Sequence, residues 1–150
     1  MFRAIFICSG NICRSPMAQV AWTHRAKERN ISTFAISMGT LGIFAKPPSR
    51  ETVEVMREAG IALNDHRSQG VSVQLLPKAN RIFVMEHAHR DALLRMDPGL
   101  SNRIRMLGSY DGDEDPEIED PIGKDMATYR RVRDRILACV DKALDEAAGT

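Results

Sequence analysis

Residues 5–18, Ile5-Phe6-Ile7-Cys8-Ser9-Gly10-Asn11-Ile12-Cys13-Arg14-Ser15-Pro16-Met17-Ala18, constrain the fold more than any other part of the chain. The unbroken apolar run before Cys8 has the character of a strand covered on both faces, as in parallel sheets. Gly10 and Asn11 follow, the two residue types that enter left-handed backbone space most easily. Arg14-Ser15-Pro16 then opens a helix, with proline in the first turn, where a missing N–H does no harm. Strand, tight loop and helix start together build an anion site. Successive loop N–H groups form a nest, and the helix N-terminus adds its positive end.

This loop carries a thiol at its entrance and a guanidinium at its exit, with five residues between them. A thiolate is a strong nucleophile only when ionised, and amides, a helix N-terminus and an arginine all favour the anion. The planar fork of arginine matches two oxygens of a phosphoryl group and can follow it through an in-line displacement. The pattern predicts that Cys8 attacks phosphorus. The loop amides of Ser9, Gly10, Asn11, Ile12 and Cys13, with the Arg14 guanidinium, then surround the phosphoryl oxygens. Ser15 is placed to donate its hydroxyl to the sulfur of Cys8 when that sulfur becomes the leaving group. A plain buried cysteine ending a core strand would account for neither the Gly-Asn pair nor the Ser-Pro helix start.

The length of 150 residues and a hydrophobic content of 43% suit one compact domain, residues 1–150, with a real core. Lys plus Arg, 21, nearly cancels Asp plus Glu, 20, so charge gives no argument for nucleic acid or a membrane as a partner. No apolar run approaches membrane-spanning length, and Met1-Phe2-Arg3-Ala4-Ile5 lacks the layout of a signal peptide. The three cysteines are an odd number, and one lies where a free thiol is needed, so a reducing cytoplasm is expected. His87 and His89 stand two apart and do not share a helix face, which makes them poor joint metal ligands. Neither a metal nor an organic cofactor is expected.

Strands are predicted at residues 4–7, continuously apolar, at 81–85, unbroken apolar at Ile82, Phe83 and Val84, and at 31–37 and 103–107, both more polar. Greasy strands belong in the middle of a sheet and polar ones at its edges. The expected fold is therefore α/β: a four-stranded parallel sheet, order 2-1-3-4, with helices on both faces and the phosphate loop after strand 1. Such sheets bind ligands beyond the carboxyl ends of their strands, where the Cys8 loop emerges. Helices are expected over 15–29, with Trp22 in the core, and from 49 to a stop at Gly60, with Val53, Met56 and Ala59 inward. Further helices are expected over 71–76, ended by Pro77, from His87 to Asp97-Pro98, and from 124 onward. The last carries an apolar stripe of Tyr129, Val132, Ile136, Val140 and Leu144. Arg130, Arg131, Arg133 and Arg135 read as its wet face, and Cys139 as core.

Two loops remain. Residues 39–48 contain Leu41, Ile43 and Phe44 outside any core pattern. Residues 111–121 are crowded with carboxylates and read mostly as a solvated loop. Asp120 differs, because a proline follows it and stiffens its carrier. A phosphatase needs an acid for the leaving group and then a base for the attacking water.

Cys8-Ser9-Gly10-Asn11-Ile12-Cys13-Arg14-Ser15-Pro16 resembles the signature of the low-molecular-weight protein-tyrosine phosphatases, and Asp120-Pro121 resembles that family's second motif. Between them, Ser37-Met38-Gly39-Thr40, Gly60-Ile61 with His66-Arg67-Ser68, and Met85 with His89 are similar to further family segments. The resemblance covers nearly the whole chain. It implies hydrolysis of phosphotyrosine through a cysteinyl-phosphate, with Cys8 as nucleophile, Arg14 as phosphate ligand and Asp120 as general acid and base. It also implies that Ser37 and His66 brace the phosphate loop at Asn11, and that Leu41, Ile43, Phe44 and Ile122 rim the substrate site. Phosphotyrosine-containing proteins are the implied partners, among them, through bacterial relatives, a tyrosine kinase of exopolysaccharide export.

Other readings differ at particular residues. A related branch acts on phosphoarginine in proteins and resembles this chain at Asp120-Pro121-Ile122-Gly123. That branch has threonine where Ile12 stands, and isoleucine is the tyrosine-phosphatase pattern. Arsenate reductases of the same fold use a further cysteine pair, but only Cys139 follows Cys13. A non-catalytic phosphate-binding module would not need Asp120. A thiol redox-sensing role would join Cys8 to Cys13.

Overall fold

The computed structural model describes residues 1–149. Its strands are Phe2–Cys8 (β1), Thr33–Gly39 (β2), Arg81–Val84 (β3) and Ile104–Met106 (β4). They form one parallel sheet in the order β2-β1-β3-β4, as strand polarity predicted. Helices Arg14–Glu28 (α1), Arg50–Glu58 (α2), His87–Met96 (α3) and Met126–Ala148 (α4) cover both faces.

Side chains alternate across a strand, and β1 divides the core in this way. Phe6 and Cys8 face α1 and α4, packing with Met17, Trp22, Phe83, Val132, Ile136 and Val140. Ile5 and Ile7 face the other side, with Ile82, Val84, Leu93 and Leu100. Trp22 is fully buried, as expected. It stacks on Phe2 with centroids 5.8 Å apart, and its indole N–H donates to Thr33 Oγ1 at 2.9 Å. The α4 stripe is buried in this core as predicted, with Cys139 beside it.

Two local expectations fail. On α2 the inward residues are Thr52, Val55 and Met56, whereas Val53 is only half-buried and Ala59 is exposed. Ser49 caps this helix by accepting the Thr52 N–H at 3.2 Å. Residues 52, 55 and 56 then share a face at helical spacing. The expected helix over 71–76 is instead a run of turns leading into a 3₁₀ turn, Leu76–Lys78. Pro77 sits inside that turn instead of ending a helix before it, because proline is tolerated in a first turn, where its missing N–H is not needed.

Candidate active site

The site lies at the carboxyl end of β1. Cys8 ends that strand beside Gly39, the last residue of β2. The loop folds so closely over β2 that a Cβ at Gly39 would stand 2.7 Å from the Ser9 carbonyl oxygen and 3.0 Å from the Asn11 nitrogen. Only glycine fits there. Asn11 takes the left-handed turn at φ 58, whereas Gly10 does not, so one of the two expected turn residues carries the bend.

Asn11 is fully buried and ties the loop down from behind. Its amide N–H₂ donates to Ser15 Oγ at 2.8 Å and to Ser37 Oγ at 2.9 Å, and its Oδ1 accepts from the Gln69 N–H at 3.0 Å. The carbonyl of Asn11 faces His66 Nε2 at 2.7 Å, so that nitrogen carries the proton. Ser37 donates its own hydroxyl hydrogen bond to Gln19 Oε1 at 2.6 Å. Ser37 and His66 thus meet Asn11 as the resemblance implied. Burial holds the His66 imidazole below its ordinary pKa, which keeps the ring neutral.

In front of this brace, Cys8 Sγ lies 2.9 Å from Ser15 Oγ and accepts the Asn11 backbone N–H at 3.3 Å. Ser15 already accepts from Asn11, so its own hydroxyl hydrogen is left for the sulfur. Cys13 sits differently. Its sulfur is near Ser49 Oγ at 3.4 Å and the Tyr129 hydroxyl at 3.8 Å, and burial pushes its thiol pKa up. Cys8, Cys13 and Cys139 are all free thiols.

Arg14, at the start of α1, is 1% exposed. Its Nη1 donates to Glu86 Oε2 at 2.6 Å and to the Ile118 carbonyl at 2.7 Å. Nη2 lies 3.6 Å from Asp120 Oδ2, and Nε is buried with no hydrogen-bond partner. One corner of the guanidinium is therefore anchored to the protein. The Nε side is not.

Asp120 stands across a cleft of about 150 Å³ lined by Cys8, Ser9, Arg14, Ile12, Ile43 and Asp120 itself, with Cys13, Gly10, Leu41 and Ile122 completing it. Its Oδ1 accepts the Ile122 N–H at 3.1 Å. Leu41, Ile43 and Ile122 reach this wall, but Phe44 does not. Phe44 is 79% exposed and lies outside the lining, because Ala45 at φ 62 turns the chain there.

Sequence reasoning missed three residues. Glu86, which precedes α3, anchors Arg14, and His89 in the first turn of α3 meets Ser9 Oγ at 2.9 Å. Both follow the carboxyl end of β3, where a search of every strand end would have found them. The third is Arg135, expected on the wet face of α4. Arg135 reaches across to the acidic loop and donates to the Glu117 carbonyl at 2.8 Å, the Gly108 carbonyl at 3.0 Å and the Asp115 carbonyl. It also pairs with Asp111 at 2.9 Å. Arg133 likewise departs from the expected wet face, donating to the Val55 carbonyl at 2.9 Å and to Glu58 at 2.8 Å. Arg130 and Arg131 are exposed as expected.

A thiol that accepts a loop amide and faces a serine hydroxyl, a buried guanidinium with an unpaired Nε and a carboxylate across a small cleft are the parts of a cysteine-dependent phosphatase site. The comparisons agree with that class and narrow it: the chain belongs to the low molecular weight phosphotyrosine protein phosphatase family, whose model matches residues 3–148. It is 31% identical to the "Probable low molecular weight protein-tyrosine-phosphatase EpsP" of Ralstonia nicotianae, over 91% of this chain and 90% of that one. It is 29% identical to the protein-arginine-phosphatase of Bacillus subtilis, over 88% and 87% of the two chains. The crystal structure of the low molecular weight protein tyrosine phosphatase from T. tengcongensis superposes with a TM-score of 0.91 at 29% identity, covering 97% of this chain and 99% of that one. Among the described residues, no helix is long and apolar enough to cross a membrane.

Proposed function

We propose that this chain hydrolyses phosphotyrosine in proteins by a two-step route through a cysteinyl-phosphate. The observation that carries the reading is the buried Arg14 Nε, which has no protein partner although Arg14 lines one cleft with Cys8 and the loop residues Ser9, Gly10, Ile12 and Cys13. A buried donor of this kind is costly unless something accepts from it, and a phosphoryl oxygen is the matching acceptor. In the first step the Cys8 thiolate attacks phosphorus, the bond from phosphorus to the phenolic oxygen breaks, and protonated Asp120 gives its proton to that oxygen. The amides of residues 9–13 and Arg14 carry the charge on the three equatorial oxygens. In the second step Asp120 takes a proton from water as the water attacks phosphorus. The electron pair of the breaking S–P bond returns to sulfur, which the Ser15 hydroxyl stabilises.

Phosphoarginine is the second reading, since relatives described as arginine phosphatases are nearly as similar. The cleft wall favours tyrosine. Ile12, Leu41, Ile43 and Ile122 suit an aromatic ring better than a guanidinium, which would lose hydrogen bonds to water against them. A tyrosine kinase of exopolysaccharide export, met in the cytoplasm, is the proposed protein substrate.

The test is phosphate release from matched phosphotyrosine, phosphoserine and phosphoarginine peptides, with Cys8→Ser as control. Release from phosphotyrosine alone, a labelled adduct at Cys8 after rapid quenching, and a loss of several powers of ten in the variant are expected. Equal turnover by Cys8→Ser refutes the route. Faster release from phosphoarginine moves the assignment to the second reading.

A further inference from the structure

Beyond the three proposed catalytic groups, a buried histidine is bonded to a half-buried serine that lines the cleft. His89 is 3% exposed, and its Nδ1 accepts the Glu86 backbone N–H at 3.1 Å. An acceptor at Nδ1 places the proton of the neutral ring on Nε2. That N–H meets Ser9 Oγ at 2.9 Å, so the ring donates and the serine accepts. His89 is the only side-chain partner of Ser9 Oγ among the described residues, which leaves the hydroxyl hydrogen free at a residue that lines the cleft with Cys8, Arg14 and Asp120. We propose that His89 is a positioning residue for Ser9, and that the Ser9 hydroxyl so fixed donates to an oxygen of the bound phosphoester. This rests on the phosphatase reading above.

A purely structural histidine would need only its Nδ1, which completes the cap of α3 with Glu86. Such a cap gives no reason for Nε2 to end on a residue of the nucleophile's loop. The charged groups around the ring also matter. Arg14 faces it from α1, Glu86 from its own cap, and Asp120 and Glu117 from the acidic loop. Burial, followed by the Arg14 charge, holds the ring below its ordinary pKa against the weaker pull of the carboxylates. The ring is therefore neutral at neutral pH. A proton added at Nδ1 would set one N–H against another and disturb the contact with Ser9.

The test uses His89→Asn, His89→Gln, Ser9→Ala and the Ser9→Ala/His89→Asn double variant, assayed on p-nitrophenyl phosphate across pH. The asparagine amide reaches the Nδ1 position only, whereas that of glutamine reaches the Nε2 position. Ser9→Ala and His89→Asn should each lower kcat/KM about tenfold, as the loss of one hydrogen bond to a charged group does. The double variant should be no worse than either single one. His89→Gln should recover most of the activity and lack one step of the acidic limb that the wild type shows. Wild-type rates in Ser9→Ala, additive losses, or a glutamine variant no better than asparagine overturn the proposal. Should His89→Asn fail to melt cooperatively, Ser9→Ala, a small change at a half-buried position, decides alone. A wild-type protein inert toward p-nitrophenyl phosphate refutes the phosphatase reading instead.

Discussion

The two loops that meet at the cleft are held in opposite ways. The phosphate loop is short, and its key side chain, Asn11, points into the protein, bonded to Ser15, Ser37 and Gln69, with His66 on its carbonyl. The acidic loop is long, and exposed over its first five residues. Its own carboxylates close a succession of local turns, in which Asp111, Asp113 and Asp115 each accept the N–H two residues ahead at 2.9–3.0 Å. Two arginines from other elements hold it to the body, Arg135 on the carbonyls of Asp115 and Glu117 and Arg14 on that of Ile118, together with Ile118 itself, which is buried in the core and donates its N–H to the Met85 carbonyl at 2.9 Å. The first loop is part of the core. The second is strapped to it. A site for transferring charge needs the oxyanion cradle preorganised, whereas the proton donor must allow substrate to enter before it acts.

The largest effect that could break this contrast is on proton transfer. Asp120→Asn should lower kcat on peptide phosphotyrosine by on the order of 10²–10⁴-fold, and much less on aryl phosphates whose leaving group needs no proton. Equal losses on both, measured by steady-state kinetics, would mean that Asp120 shapes the cleft and does not deliver a proton. Next, Asn11→Ala removes three hydrogen bonds and puts alanine at a left-handed φ. It should cost on the order of 3 kcal/mol of stability in chemical denaturation, with activity falling too.

Arg135→Leu sharpens the comparison. The strap is lost while the core stays intact, so kcat should fall roughly tenfold through a misplaced Asp120, with only about 1 kcal/mol lost in stability. If Arg135→Leu unfolds the protein as readily as Asn11→Ala does, the two loops are equally part of the core. The smallest effect is pH-dependent stability. His66 and His89 both have pKa values lowered by burial from 6.5. Below about pH 6.5 the unfolded chain gains protons that the folded chain refuses, so stability should decline as pH falls further, until the folded-state values are passed. Thermal melts should show a shallower decline in His66→Gln than in the wild type.

What could be read in advance followed from short-range rules. Apolar runs gave β1 and β3 as central strands, and one stretch, residues 8–15, held both groups that touch the Cys8 sulfur, the Asn11 N–H and the Ser15 hydroxyl. Resemblance placed Ser37 and His66 at Asn11. The errors lie where spacing is ambiguous or contacts are distant. Val53 and Val55 both fit an amphipathic helix until Ser49 sets its start. Phe44 is as apolar as Ile43, yet the turn at Ala45 sends it to solvent.

By itself the sequence determined the strand order, the thiol-to-guanidinium loop and the class of chemistry, because each depends on residues near one another along the chain. The tertiary structure alone decided which corner of Arg14 is spent on Glu86 and Ile118 and which edge is left unpaired. It alone brought Arg135 from the far helix to the acidic loop and His89 to Ser9. Those contacts join residues 18 to 104 positions apart. An arginine or histidine in the sequence carries no mark of which distant carbonyl or hydroxyl its donors will find, and only packing the helices onto the sheet settles it.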